Sequence, residues 1–106
     1  MEQKSRITVT WSPRATKDLL DIYDYLARAH APDIAEDTVL RIRETADKLR
    51  MHPLLWKQRE GLEDIRLAPA HPYFICYRHE KGMLGIVRVV HEKRDIVAIF
   101  AKIGPV

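Results

Sequence analysis

Arginines on strand-like segments are the residues of this sequence best suited to chemistry. Arg66, Arg78 and Arg88 each interrupt an apolar run. An arginine in a strand is costly unless its guanidinium meets water, a carboxylate or a polyanion. If the strands are neighbours, the three arginines lie close together and create a positive surface. The alternative is that each arginine forms an ordinary ion pair with a nearby acid, namely Glu63, Asp64, Glu80 or Asp95.

Positive charge continues beyond the last strand-like segment. The run His91-Glu92-Lys93-Arg94-Asp95 follows it, and the whole chain carries a formal net charge of +3. A mild basic excess is typical of proteins that bind nucleic acid or an acidic protein, although it does not identify the partner. His91 has an alternative role as a structural histidine bonded to a backbone carbonyl.

Other catalytic chemistries lack the residues they need. The five histidines have no close-spaced ligand motif, and Cys76 is the only cysteine, so we expect no metal site. The four glycines are isolated, which excludes a phosphate-binding loop and leaves no predicted cofactor. Ser5 and Ser12 are the only serines, one near the N-terminus and one before a proline, so a nucleophilic triad is disfavoured.

Length and composition predict one cytoplasmic domain. A chain of 106 residues, 46% hydrophobic and 31% charged, is enough for a single domain spanning residues 1–106. Polar residues follow Met1, which predicts no signal peptide, and no run approaches the roughly 18 apolar residues of a membrane span. The single cysteine excludes an internal disulfide and suits a reducing compartment.

The first half of the chain has helical periodicity. Residues 7–11 are β-branched and aromatic and predict a short strand, after which Ser12-Pro13 signals a helix start. Apolar residues then recur at helical spacing until His30-Ala31-Pro32 interrupts them. A second periodic segment ends at Pro53. The pattern predicts an antiparallel helical hairpin.

The second half is rich in strand signals. The first predicted strand spans residues 64–68 and is ended by the proline-containing residues 69–72. Two further strands are predicted over residues 73–80 and 83–91, and they pair through a Lys81-Gly82 turn. Residues 95–103 are apolar and fit either a helix or a strand. The predicted fold class is α+β, in the order β-α-α-β-β-β, with a helical hairpin packed on a small, mostly antiparallel sheet.

Three apolar residues fall outside the core stripes of the two helices: Leu20, Tyr25 and Leu40. Surplus apolar residues on helix flanks form minor core contacts or receive a partner segment.

The sequence resembles a known protein family. Trp11-Ser12-Pro13-Arg14-Ala15 is similar to the opening of ParE-type toxins, and so are the blocks Tyr73-Phe74-Ile75-Cys76-Tyr77-Arg78 and Ile86-Val87-Arg88-Val89-Val90-His91. The resemblance, to the RelE/ParE toxins of type II toxin–antitoxin systems, extends from about residue 7 to residue 100. It implies the fold predicted above, growth arrest and plasmid stabilisation.

The family divides by target. RelE-like members are ribosome-dependent ribonucleases that use basic residues and a C-terminal tyrosine. ParE-like members instead poison DNA gyrase. Arg66 and Arg94 are basic where the ribonuclease set requires it. Phe74 and Phe100, however, occupy the positions of an arginine and the tyrosine, and phenylalanine cannot move a proton. The resemblance therefore favours gyrase inhibition without a catalytic residue.

The hypothesis that follows is a non-enzymatic toxin that binds gyrase. Its predicted target-binding residues are Arg66, Tyr73, Tyr77, Arg88, His91, Lys93 and Arg94, with the tyrosines as aromatic supports. One alternative is a ribosome-dependent mRNA endoribonuclease, whose partners are the ribosome and mRNA. Another is an inactive member that binds only its antitoxin.

Every one of these hypotheses includes a cognate antitoxin as partner. The resemblance implies an antitoxin segment that is disordered alone and folds over the toxin. We expect it in the groove between the helical hairpin and the sheet edge, in contact with Leu20, Tyr25 and Leu40.

Overall fold

The computed structural model describes residues 7–103 and confirms the predicted order of elements. The polar residues that follow Met1 lie outside this range. The elements are β1 (Thr8–Trp11), α1 (Pro13–Ala29), α2 (Pro32–Lys48), a 3-10 turn (Leu49–Met51), β2 (Arg66–Ala70), β3 (Tyr73–Glu80), β4 (Met83–His91) and α3 (Ile96–Ile103). The apolar segment near the C-terminus is therefore a helix. None of the described helices is long and apolar enough to cross a membrane.

The four strands form one mixed sheet in the order β1-β4-β3-β2. β4 pairs with β3, and β3 with β2, in antiparallel fashion, whereas β1 runs parallel to β4. A parallel pair needs a long connection between its strands. Here β1 and β4 are joined through the helical hairpin, β2 and β3. The sheet is mostly antiparallel, as predicted.

Ser12 and Pro13 fix the start of α1. The Ser12 hydroxyl accepts a hydrogen bond from the backbone N–H of Ala15 at 3.0 Å, which satisfies one of the free amides of the first turn. Lys17 and Asp21, four residues apart on this helix, form an ion pair at 3.1 Å. Arg28 donates from Nε to the backbone carbonyl of Asp24 at 3.3 Å.

Two apolar clusters lie on the two faces of the sheet. The first joins the helical hairpin to the sheet through residues such as Leu19, Ile42, Ile75 and Ile86. The second lies under α3, where Ile96 packs with the sheet residues and with partly buried side chains that include Phe100. Because both faces are covered, the chemistry of the sheet is confined to its ends and edges.

The predicted bounds of β2 are wrong at both ends. The strand begins at Arg66, since Asp64 has a φ of 63°, outside the range of a strand. It continues through Pro69 and Ala70, which pair with Phe74 and Tyr73. Proline is tolerated here because β2 is an edge strand, so the missing N–H faces away from the ladder.

The register between β3 and β4 shifts by one residue. Cys76 pairs with Arg88, while the next residue, Tyr77, pairs with Ile86, so Val87 is the extra residue of a β-bulge. A bulge bends the strand and redirects the side chains beside it. The bulge immediately precedes Arg88, a residue of the predicted target-binding set.

Candidate functional site

The structure separates the seven predicted target-binding residues into three places. Arg88 is in the interior beside α1. Arg66 and Tyr77 face each other across β2 and β3. Tyr73 and His91 are paired at the start of β3, four residues or about 13 Å from Tyr77 along the strand, and Lys93 and Arg94 follow His91.

Arg88 forms a buried ion pair with Asp18 of α1. The Arg88 side chain donates from Nε to Asp18 Oδ2 at 2.9 Å and from Nη2 to Oδ1 at 3.2 Å. The same Oδ2 accepts the backbone N–H of Val89 at 2.9 Å. Arg88 is only 7% exposed, so the expectation that it belongs to an exposed basic surface is wrong.

The reason for this placement lies in the edge of β4. β1 pairs with β4 only as far as Ile86. Beyond that point α1 replaces the strand: Ser12 donates from N to the Ile86 carbonyl and from Oγ to the Val87 carbonyl, and Asp18 accepts from Val89. Asp18 thus satisfies an edge amide and neutralises Arg88 at the same time.

Arg66 and Tyr77 hold the loop that precedes β2. Arg66 donates from Nη1 to the Trp56 carbonyl at 2.7 Å. The Tyr77 hydroxyl donates to the Pro53 carbonyl at 2.8 Å, and the ring is fully buried. Arg66 pairs with none of the acids that the ion-pair alternative named, and both side chains bond the backbone of the loop.

Arg78 is the strand arginine that stays exposed. It lines a polar cleft of about 380 Å³ with Asp64, Arg66 and Glu80, where the β2–β3 ladder opens. Arg78 forms no ion pair within residues 7–103. The three strand arginines therefore do not form one cluster, because Arg88 lies inside.

Tyr73 and His91 support the turn that follows β4. Their rings meet edge to face, with centroids 5.3 Å apart and planes at 80°. His91 Nδ1 accepts the backbone N–H of Lys93 at 3.1 Å, and the His91 carbonyl accepts that of Arg94 at 2.9 Å. His91 therefore shapes this turn by accepting a backbone N–H, which differs from the predicted bond to a carbonyl, and the turn presents the exposed side chains of Lys93 and Arg94.

A polar network that the sequence did not predict surrounds this turn. Arg41 of α2 donates to the His71 carbonyl at 2.9 Å, and His71 Nδ1 lies 3.0 Å from Glu92 Oε1. Glu92 in turn donates its N–H to the Pro72 carbonyl at 2.8 Å. These bonds tie α2, the β2–β3 connection and the turn after β4 together at one end of the sheet.

Both predicted tyrosines keep their protons at neutral pH. Burial raises the pKa of Tyr77, and the positive charge of Arg66 and the nearby backbone of Trp56 offset part of that rise. Burial also raises the pKa of Tyr73. The electrostatic effect of the nearby Tyr25 adds to this rise, and the positive charge of Arg41 opposes it. A tyrosine with a raised pKa is a poor general base at neutral pH.

The two phenylalanines and the cysteine are core residues. Phe74 and Phe100 pack, partly buried, against the second apolar cluster, in which Cys76 is fully buried. Burial raises the pKa of the Cys76 thiol to about 12, so the nucleophilic thiolate does not form at neutral pH. Within residues 7–103, no three histidine, cysteine, aspartate or glutamate side chains come together as metal ligands would.

The three predicted antitoxin contacts are exposed on the helical hairpin. Leu20 and Tyr25 lie on α1 and Leu40 lies on α2, and each keeps close to half or more of its surface accessible. They are not minor core residues. Leu40 also borders an open depression on α2 that is lined with Arg43, Glu44 and other charged residues.

Comparisons with known proteins give a sequence-profile match and a likeness of fold. The sequence profile described as "ParE toxin of type II toxin-antitoxin system, parDE" matches residues 9–96. A solved chain from the chromosomal ParDE toxin–antitoxin system of P. aeruginosa superimposes with a TM-score of 0.71 at 21% identity, covering 81% of this chain and 96% of that one. At this identity the superposition is a likeness of fold. A search among curated proteins gives no significant match.

Proposed function

Because this chain belongs to the ParE toxin family of type II toxin–antitoxin systems, we propose that it inhibits DNA gyrase in the cytoplasm and that a cognate antitoxin neutralises it. The target is a step beyond family membership. It rests on the residues at the two positions where a related ribonuclease requires catalytic groups.

The observation that carries the choice of target is the packing of Phe74 and Phe100. A ribonuclease of this type needs groups that move a proton and support the leaving group. Both aromatic rings instead contact the apolar cluster under α3. A phenyl ring neither donates nor accepts a proton, so these positions serve the fold and supply no catalysis.

The proposed contact surface is the turn after β4. Lys93 and Arg94 provide the exposed charge, and Tyr73 and His91 fix the turn that carries them. Arg66 and Tyr77 act indirectly, through the loop they hold, and Arg88 is left out because it is buried. Positive charge at the rim of a contact guides association with an acidic partner or with DNA held by the enzyme.

Purified bacterial gyrase tests this proposal directly. We expect the protein to inhibit supercoiling of a relaxed plasmid and to increase the fraction of cleaved DNA. Arg94→Glu should lose at least tenfold in inhibition with an unchanged melting temperature. Arg43→Glu, a charge reversal on exposed helix surface, should inhibit like the wild type.

Two results would contradict the proposal in different ways. A protein that leaves gyrase untouched and cuts mRNA on translating ribosomes would be a ribonuclease. A folded Arg94→Glu variant that inhibits as strongly as the wild type would remove Arg94 from the contact surface and leave gyrase as the target.

A further inference from the structure

The end of the 3-10 turn and the loop that follows it, before β2, present three large apolar side chains to solvent. Met51, Leu54 and Leu55 are 53%, 63% and 61% exposed, within five consecutive residues. Scattered exposed leucines are common on protein surfaces, whereas exposed apolar residues this close together along the chain are typical of a contact site. This group lies outside the helical hairpin on which Leu20, Tyr25 and Leu40 are exposed.

The backbone beneath these side chains is fixed. Tyr77 and Arg66 bond the carbonyls of Pro53 and Trp56, on either side of the two leucines. The N–H of Leu55 donates to the His52 carbonyl at 3.1 Å, and the Trp56 ring packs against the first apolar cluster. A partner therefore meets a preformed loop and loses little free energy in ordering it.

The charge of the loop indicates the kind of partner. Between residues 48 and 59 the chain carries four cations and no acid, the cations being Lys48, Arg50, Lys57 and Arg59. Only Arg50 forms an ion pair in this stretch of the described chain, with Asp47 at 3.3 Å. Exposed apolar side chains with cations on both sides of them in the sequence match an apolar pocket with an acidic rim.

We propose that residues 51–57 dock into an acidic, apolar pocket on the protein target, with Leu54 and Leu55 as the anchors. This inference rests on the proposed function, which makes gyrase the target. It also gives Arg66 and Tyr77 a physical role, since both are positioning residues that hold the docking loop. A second copy of this chain is a poor occupant, because two loops of like charge repel each other.

The test measures binding to immobilised gyrase holoenzyme and inhibition of supercoiling. Leu54→Ser/Leu55→Ser should weaken both by tenfold or more, as loss of a central anchor does. Lys57→Glu should weaken binding several-fold and make it less sensitive to salt. The matched controls are Met83→Ser, an exposed apolar residue elsewhere, and Lys81→Glu, an exposed lysine of the β3–β4 turn.

Each outcome has a distinct meaning. Wild-type protein that inhibits gyrase, together with loop variants that inhibit equally well, would overturn this inference and leave the proposed function standing. Wild-type protein without any effect on gyrase would overturn both. Loop variants that bind gyrase normally but lose the antitoxin would assign the loop to the antitoxin. If the double variant melts early, Lys57→Glu decides the result, since it changes only surface charge.

Discussion

At the scale of single residues, Asp18 is the buried acid that joins α1 to β4. It neutralises Arg88, accepts the edge amide of Val89 and lies 3.4 Å from the Nε of Arg14. Its position was visible in the sequence as an acid within the apolar stripe of α1, three residues after Ala15 and four before Ile22. A carboxylate on a core face requires a partner, and the arginines of the strands, Arg88 among them, are the candidates that this rule indicates.

Removing this carboxylate should destabilise the fold strongly. Asp18→Ala leaves the buried guanidinium of Arg88 and the N–H of Val89 without an acceptor, which costs about 3–5 kcal/mol of unfolding free energy. Asp21→Ala, which removes an exposed pair with Lys17, should cost under about 1 kcal/mol. Urea unfolding of both variants measures the difference. Similar losses in the two would show that the buried pair contributes no more than a surface pair.

The buried thiol of Cys76 should make stability depend on alkaline pH. Burial raises its pKa from 9.0 to about 12, so above pH 9 the unfolded chain releases a proton that the folded chain retains. This contribution is fully present below pH 9 and is lost as the pH rises towards 12, at up to about 1.4 kcal/mol per pH unit. Tyr73 and Tyr77, whose pKa values are also raised, act in the same direction.

Urea unfolding between pH 8 and pH 10.5 measures this slope. The free energy of unfolding should fall with pH in the wild type and fall less steeply in Cys76→Ala. Only the slopes are compared, because the substitution also removes a buried sulfur. Equal slopes in the two proteins would contradict the assignment to the thiol.

At the scale of elements, the sequence predicted the helices whose positions depend on local residue spacing and capping. The helical spacing of apolar residues located α1 and α2, and Ser12-Pro13 fixed the start of α1. The predicted end of β2 was wrong because proline is excluded only from inner strands, and β2 is an edge strand. The order of the strands depends on the tertiary fold and could not be read from the local sequence. The segment that became α3 is apolar throughout, so periodicity alone did not separate helix from strand.

The candidate site was harder to predict than the fold. Lys93 and Arg94 were correctly expected at the surface, since they follow the last strand. Arg66 and Tyr77 were expected to face a target, yet they reach back 10 and 24 residues to the carbonyls of Trp56 and Pro53. Such contacts depend on how a loop lies over the sheet, and no spacing in the sequence encodes them.

The exposed flank of the helical hairpin should bind the antitoxin. Leu20→Ala, Tyr25→Ala and Leu40→Ala together should weaken binding of the cognate antitoxin by at least tenfold, because each removes exposed apolar surface that a folding segment would cover. Titration calorimetry measures the change. Met83→Ala, an exposed apolar residue at the start of β4, serves as the control. Unchanged affinity in the triple variant would remove these residues from the interface.

At the scale of the whole molecule, the exposed features lie in separate places. The helical hairpin carries Leu20, Tyr25 and Leu40, the loop before β2 carries Leu54 and Leu55, and the turn after β4 carries charge. A surface divided in this way allows a protein of 106 residues to contact a target and an antitoxin through different parts. The formal net charge of +3 favours acidic partners for both.

We propose that this protein stops DNA replication through gyrase. The most direct test induces the chain alone in bacterial cells and follows the incorporation of labelled thymidine and labelled methionine separately. We predict that thymidine incorporation falls first, together with a DNA-damage response, while protein synthesis continues. An earlier fall in methionine incorporation would contradict inhibition of gyrase, since it would identify translation as the target. Phe74 and Phe100 would then not exclude ribonuclease activity.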